Sequence, residues 1–200
     1  MRVLLIDGHP DRDRLSSHLL DAYQQALPDS VATDRITLRD LRFDPILHRG
    51  YAEEQALEPD LQRATQALLD ADHIVIAHPM WWGAEPALLK GFYDRVLLPG
   101  TTFRYHQRGP FWDGLLRGRS ADVLVTLDTP EFWLRLRFGN PLGNRLKHQV
   151  LGFCGVKPVR MAYLGPVRRG GVDKNLGKWR ARVAAMAREA PALKRGKRRA

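Results

Sequence analysis

Along this chain, short unbroken apolar runs alternate with longer stretches in which apolar residues recur every three or four positions. Val3-Leu4-Leu5-Ile6 is of the first kind, the pattern of a strand buried on both faces, and the mostly apolar segments 73–77 and 121–127 read as strands too. A weaker strand is expected over 31–38 and a fifth over 156–164. Leu15, Leu19, Leu20, Tyr23 and Leu27 share one helical face, with Ser16 or Ser17 as N-cap and Pro28 as the stop. Pro59 opens a helix that aligns Leu61, Ala64, Leu68 and Ala71. Pro86 opens another that runs through Leu98, and further helices are expected over 142–153 and 174–188. Five strands alternating with five helices predict an α/β fold, a doubly wound, five-stranded parallel sheet with helices on both faces. In such sheets ligands bind beyond the carboxyl ends of the strands, where the strand order reverses, which singles out the loops 8–15, 78–85 and 128–140.

Composition adds limits rather than detail. Two hundred residues, 44% hydrophobic and 27% charged, fit one folded domain over 1–190 with a short basic, disordered end over 191–200. The net charge of +10 suggests a nucleic-acid partner until it is located: residues 1–167 carry 20 basic and 20 acidic side chains, and 168–200 carry 12 and 2. A balanced body lacks the basic stripe of a nucleic-acid binder, so no nucleic acid is expected. The lone cysteine, Cys154, excludes a disulfide framework and reads as a buried structural thiol. No run approaches the ~18 apolar residues of a membrane span, and the expected location is cytoplasmic.

The first loop, Gly8-His9-Pro10-Asp11-Arg12-Asp13-Arg14-Leu15-Ser16-Ser17, runs directly into a helix, whose free N–H groups with Ser16, Ser17, Arg12 and Arg14 nearby would suit a phosphate. The alternative is that the serines only cap the helix and the arginines face water. There is no G-x-G-x-x-G after the first strand, and Gly165–Gly171 lacks the lysine and hydroxyl of a P-loop, which disfavours both nucleotide motifs. The second loop, His78-Pro79-Met80-Trp81-Trp82-Gly83, places two tryptophans where a planar ligand would lie. Either indole could instead pack beneath the helix opened by Pro86, Trp81 more readily than Trp82. A phosphate-ready loop beside a ring-ready loop suggests a flavin nucleotide. His73 and His78, five apart on a strand, point to opposite faces and cannot share a metal, so none is expected.

The segment 78–96, HPMWWGAEPALLKGFYDRV, resembles the signature of the flavodoxin-like NAD(P)H:quinone reductase family. The first loop with His9 and Ser16, the Gly109-Pro110-Phe111 turn, Phe153-Cys154-Gly155 and Gly177-x-Trp179 are similar too and fall in the same order. This resemblance implies a flavoprotein oxidoreductase with noncovalent flavin, FMN or FAD, reduced by NADH or NADPH and reoxidised by a quinone or similar small acceptor. It implies that His9, Arg14, Leu15 and Ser16 hold the flavin's phosphates, with Ser17 beside them. Pro79, Met80, Trp81, Trp82 and Gly83 would run along the isoalloxazine ring, and Leu127, Asp128 and Thr129 along its other edge. This last loop departs from the family's Thr-Thr-Gly-Gly pattern. Tyr105 matches a substrate-facing tyrosine supplied across a homodimer interface, to which the aromatic stretch Phe103, Tyr105, Phe111 and Trp112 would contribute. Tyr105 and Asp128 are the side chains expected to assist catalysis, although Asp128 equally suits an Asx turn or helix cap before Pro130. Two other roles share the fold: a flavodoxin-like carrier of single electrons, and an ancillary subunit of an ion-efflux system that meets its partner through the basic end.

Overall fold

A computed structural model describes residues 1–197. Five strands, β1 (Arg2–Asp7), β2 (Ala32–Thr37), β3 (His73–Pro79), β6 (Ser120–Thr126) and β7 (Val159–Leu164), form a sheet in the order β2-β1-β3-β6-β7. All its pairings are parallel. The order reverses between β1 and β3, which puts the crevice for a ligand at their carboxyl ends. The expected fold class is thus the observed one.

Side chains on each strand alternate between two apolar layers. Leu4, Ile6, Ile74, Ile76, Val123 and Val125 face a layer containing α2 (Pro59–Asp70) and α3 (Ala87–Val96). Val3, Leu5, Val75, Leu124 and Leu164 face α1 (Leu15–Gln25) and α6 (Gly171–Glu189), with Trp179 of α6 buried against them. Burying each such aliphatic side chain contributes roughly 1.5–3 kcal/mol, and its continuity across β1, β3 and β6 makes these strands the rigid centre. β2, at the edge, buries only Ile36 fully, which explains its weak sequence pattern.

Several elements differ from the expected ones. The N-cap of α1 is Arg14, with neither serine at that position; Ser17 turns inward and donates to Asp7 at 2.7 Å. An antiparallel hairpin, β4 (Phe103–Tyr105) and β5 (Trp112–Gly114), occupies the aromatic stretch. A short helix, α4 (Glu131–Leu136), lies inside the loop 128–140. The helix expected over 142–153 begins as α5 (Pro141–Asn144) and widens into a π-turn over Arg145–Val150. There the Leu151 N–H reaches the Leu146 carbonyl, and glycine at 152 lets the Lys147 carbonyl approach where a Cβ would collide. β7 starts at Val159 because Pro158 has no N–H to give the ladder.

The basic end is also tied down over its first residues. Ala190–Ala192 form a 3-10 turn, and Arg195 donates from Nε to Ser120 Oγ at 2.9 Å and from its terminal nitrogen to the Ala190 carbonyl at 2.5 Å. These bonds hold the stretch to Arg195 against the body; the rest of the end expected to be disordered, 198–200, lies outside the described residues. Among the described residues no helix is long and apolar enough to cross a membrane, and no group of three metal-binding side chains occurs.

Candidate active site

The carboxyl ends of β1, β3 and β6 open into a cleft of about 580 Å³. Of the residues expected at a ligand, His9, Arg14, Leu15, Ser16, Pro79, Met80, Trp81, Trp82, Gly83, Leu127, Asp128 and Thr129 all line it. Ser17 does not line it and acts from beneath.

Asp7, the last residue of β1, is fully buried and sets the first loop. It accepts from Ser17 Oγ, from the His9 N–H at 3.2 Å and from Arg39 at 2.9 Å. With Ser17 drawn inward, Ser16 faces the cleft, where its hydroxyl is buried without a hydrogen-bond partner. The N–H groups of Leu15 and Ser16 precede the first bonds of α1, which the Ser17 and His18 amides make to the Arg14 carbonyl. A buried hydroxyl left unpaired costs about 1–3 kcal/mol, and its place at a helix N-terminus suits an anion that would pair it.

His9 completes that end. Its Nδ1 accepts from the Asp11 N–H at 2.9 Å, which leaves the proton of the neutral ring on Nε2 as a donor. Burial, opposed by the Asp7 carboxylate and helped by the Arg14 charge, holds its pKa below the usual histidine value. The ring meets Trp81 edge-on, 5.6 Å between centroids at 84°. Arg14 donates from Nε to Asp11 at 2.8 Å, so its charge lies at the mouth of the cleft.

The aromatic end is a tight turn. Trp81 and Ala84 exchange both backbone hydrogen bonds, at 2.9 and 3.0 Å, and the two residues between have positive φ, +52° at Trp82 and +79° at Gly83. Two positive φ angles in succession are the mark of a type I′ turn. Glycine meets that demand freely, whereas tryptophan does so at a cost of order 1 kcal/mol. The return is an indole held wholly in solvent over the cleft, since Trp82 is fully exposed. Trp81 is half-exposed, so neither indole packs beneath α3.

The far wall joins two loops. The Val167 N–H donates to the Leu127 carbonyl, and a Cβ at Gly165 would strike that same oxygen. Asp128 accepts from the Arg168 N–H at 2.8 Å and pairs with its Nε at 2.8 Å. Asp128 is thus neither an Asx turn nor a cap: α4 is preceded by Pro130, and the carboxylate clamps one loop to the other. The same carboxylate, expected to assist catalysis, lines the cleft with this arginine on it. Tyr105 lies outside the cleft altogether and lines a separate cavity with Tyr51, Tyr93 and Phe103. Thr126, Val167 and Arg168 line the cleft without having been singled out by the sequence; only the near-P-loop pattern 165–171 hinted at them.

The sequence profile described as the flavodoxin-like fold matches residues 1–187. The chain belongs to the flavodoxin-like fold family. Within this family it is 33% identical over 203 residues to the FMN-dependent NADH:quinone oxidoreductase 3 of Pseudomonas aeruginosa, covering 90% of this chain and 89% of that protein. It is 32% identical over 209 residues to the FMN-dependent NADH:quinone oxidoreductase 2 of Pseudomonas fluorescens, covering 93% of this chain and 99% of that one. Among solved structures, the Streptococcus mutans UA159 protein Smu.1420 superposes with a TM-score of 0.81 at 28% identity, over 94% of this chain and 100% of that chain. The residues of this flavodoxin-like cleft fit a flavin mononucleotide: an unpaired hydroxyl and helix amides for the phosphate, a neutral histidine donor beside them, and exposed indoles for the ring.

Proposed function

We propose that this chain is an FMN-dependent NADH:quinone oxidoreductase. The observation that carries the reading is the single cleft with the unpaired Ser16 hydroxyl at a helix N-terminus at one end and the strained Trp82 turn at the other. Two relatives with nearly full mutual coverage carry FMN, NADH and quinone in their names. When bound, the flavin supplies the redox chemistry, taking two electrons from the nicotinamide and passing them to the quinone.

The protein binds, orients and shields. Ser16 Oγ, the N–H groups of Leu15 and Ser16 and His9 Nε2–H would hold the phosphate, with Arg14 adding charge at the rim. The Pro79–Gly83 segment offers turn amides to the ring edge, and the Trp82 indole covers a ring face and displaces water from it. Asp128 and Arg168 fix the spacing of the opposite wall. Asp128 is engaged by Arg168, and the Tyr105 phenol of a second subunit would add a proton-bearing group to the site. We propose a homodimer in which the hairpin β4–β5 brings that phenol over the partner's cleft; the exposed Tyr105 and Phe111 support such an interface. A buried single thiol, with its pKa raised to about 11 by burial, suits the cytoplasm expected for such an enzyme.

The test is steady-state oxidation of NADH with benzoquinone by the FMN-reconstituted protein alone. Turnover with no partner protein is expected, and the bound flavin, released and weighed, is FMN. A protein that takes up neither FMN nor FAD contradicts the reading. A strict monomer with full flavin and full turnover contradicts the shared Tyr105.

A further inference from the structure

A second polar cavity, of about 590 Å³, lies at the opposite pole of the sheet, between the segments that lead into β6 and β7. Arg117, Lys157 and Lys197 line it, and no carboxylate among the described residues does. None of these three cations has an ion-pair partner among the described residues, although arginines elsewhere on the surface pair with aspartates, as Arg35 does with Asp21 and Arg168 with Asp128.

The backbone holds these charges together. The Leu116 N–H donates to the Cys154 carbonyl at 2.8 Å and the Lys157 N–H to the Arg119 carbonyl at 2.9 Å, so residues 114–119 are stitched to 154–157. Gly155, at φ +95°, has no Cβ; one there would sit 2.9 Å from both Arg117 Cγ and the Gly114 oxygen. Its absence lets the Arg117 stem lie across the turn. Arg195, anchored on Ser120 and Ala190, delivers Lys197 to the rim. Trp112 forms a fixed wall, its Nε1 donating to the Phe153 carbonyl at 2.9 Å and its ring stacked on Phe153 at 4.4 Å.

We propose that this cavity binds a small polyphosphate anion, either the phosphate chain of a nucleoside di- or triphosphate or free pyrophosphate. Three cations lining one concave site, with no carboxylate among the described residues that line it, focus a positive potential that a single negative charge would not balance and two linked phosphates would. Arginine supplies a planar fork and the lysines point charges, a combination suited to phosphate oxygens. The site gives the basic end a role of its own, and within one subunit the length of the sheet separates it from the flavin cleft.

The FMN-saturated protein, with its flavin cleft filled, is titrated calorimetrically with pyrophosphate and separately with ATP. One site per chain is expected. Arg117→Glu and Lys157→Gln should each weaken binding by about tenfold or more while melting temperature and NADH:quinone turnover stay at wild-type values. Tighter binding of ATP than of pyrophosphate assigns the site to nucleotides, and equal binding assigns it to the phosphate chain alone. No saturable binding of either probe, or binding untouched by both substitutions, overturns the proposal. So does capture on phosphatidylserine vesicles without polyphosphate binding, which would make this face a membrane-contact surface.

Discussion

The two ends of the sheet differ in how completely their buried polar groups are paired, although Asp7 at the carboxyl end is fully bonded. Near the amino-terminal end, between the sheet and the layer of α1 and α6, they answer one another. Tyr23 donates to Asp122 at 2.7 Å and lies 3.0 Å from His73 Nε2, His73 Nδ1 lies 2.7 Å from Ser120 Oγ, and Arg160 forks onto both Asp122 oxygens at 2.7 Å. Burial would raise the Asp122 carboxyl, but hydrogen bonds from His73 and Arg160 hold it below the usual carboxylate range. At the carboxyl end, Ser16 Oγ and His78 Nε2 are buried without partners and Trp82 sits at positive φ. A satisfied network stiffens a fold, whereas unpaired groups and strain persist where a ligand compensates them. The contrast sets a ligand cleft at one end against a bonded network at the other, and each prediction tests that division.

Asp122→Asn should have the largest effect. It removes the charge on which Arg160 is folded, a loss of about 3–5 kcal/mol for a broken buried pair, toward the lower end because Arg160 keeps Glu189 at 2.7 Å. Urea unfolding of flavin-free protein measures it. A loss below about 1 kcal/mol would mean that the network is ornamental.

His78 comes next. Burial, only partly offset by its bond to the Pro79 carbonyl and reinforced by Arg145, pushes its pKa down to about 4 from the ordinary 6.5. The folded state therefore binds fewer protons than the unfolded state between these values. The stability this contributes is full above pH 6.5 and is lost as the pH falls toward 4. Between pH 7 and pH 4 the wild type should lose up to about 3 kcal/mol more than His78→Gln. Parallel pH profiles would show that the ring is hydrated in solution.

The smallest effect belongs to the Trp82 turn. Trp82→Gly removes a strained side chain and should raise the stability of the flavin-free protein by about 0.5–1 kcal/mol, glycine's greater unfolded-state freedom offsetting part of the gain. A lower melting temperature would mean that the indole packs on the body.

The sheet was legible because β1, β3 and β6 are buried on both faces and so are mostly apolar; edge strand β2, half of it wet, read weakly for the same reason. α4 and the β4–β5 hairpin were not legible, since six- and three-residue elements carry too few positions for any period. Within the cleft, the Trp-Trp-Gly turn could be read from local chemistry alone. The serines were misassigned as caps because Asp7, on another element, draws Ser17 inward. Arg168 was invisible because its partner Asp128 lies 40 residues away, and no local spacing encodes that pairing. Arg39, which steadies Asp7 from beyond β2, went unseen on the same grounds.

The division between the two ends is tested most directly by crossing two variants with two readouts, FMN dissociation constant and melting temperature of the flavin-free protein. Trp82→Ala should weaken FMN by up to about tenfold, the loss of an aromatic contact of ~0.5–1.5 kcal/mol, and leave the flavin-free melt unchanged or slightly raised. Asp122→Asn should lower the melt and, below its own transition, bind FMN as the wild type does. If Trp82→Ala keeps wild-type FMN affinity while melting like Asp122→Asn, the carboxyl-end cleft is not the flavin site.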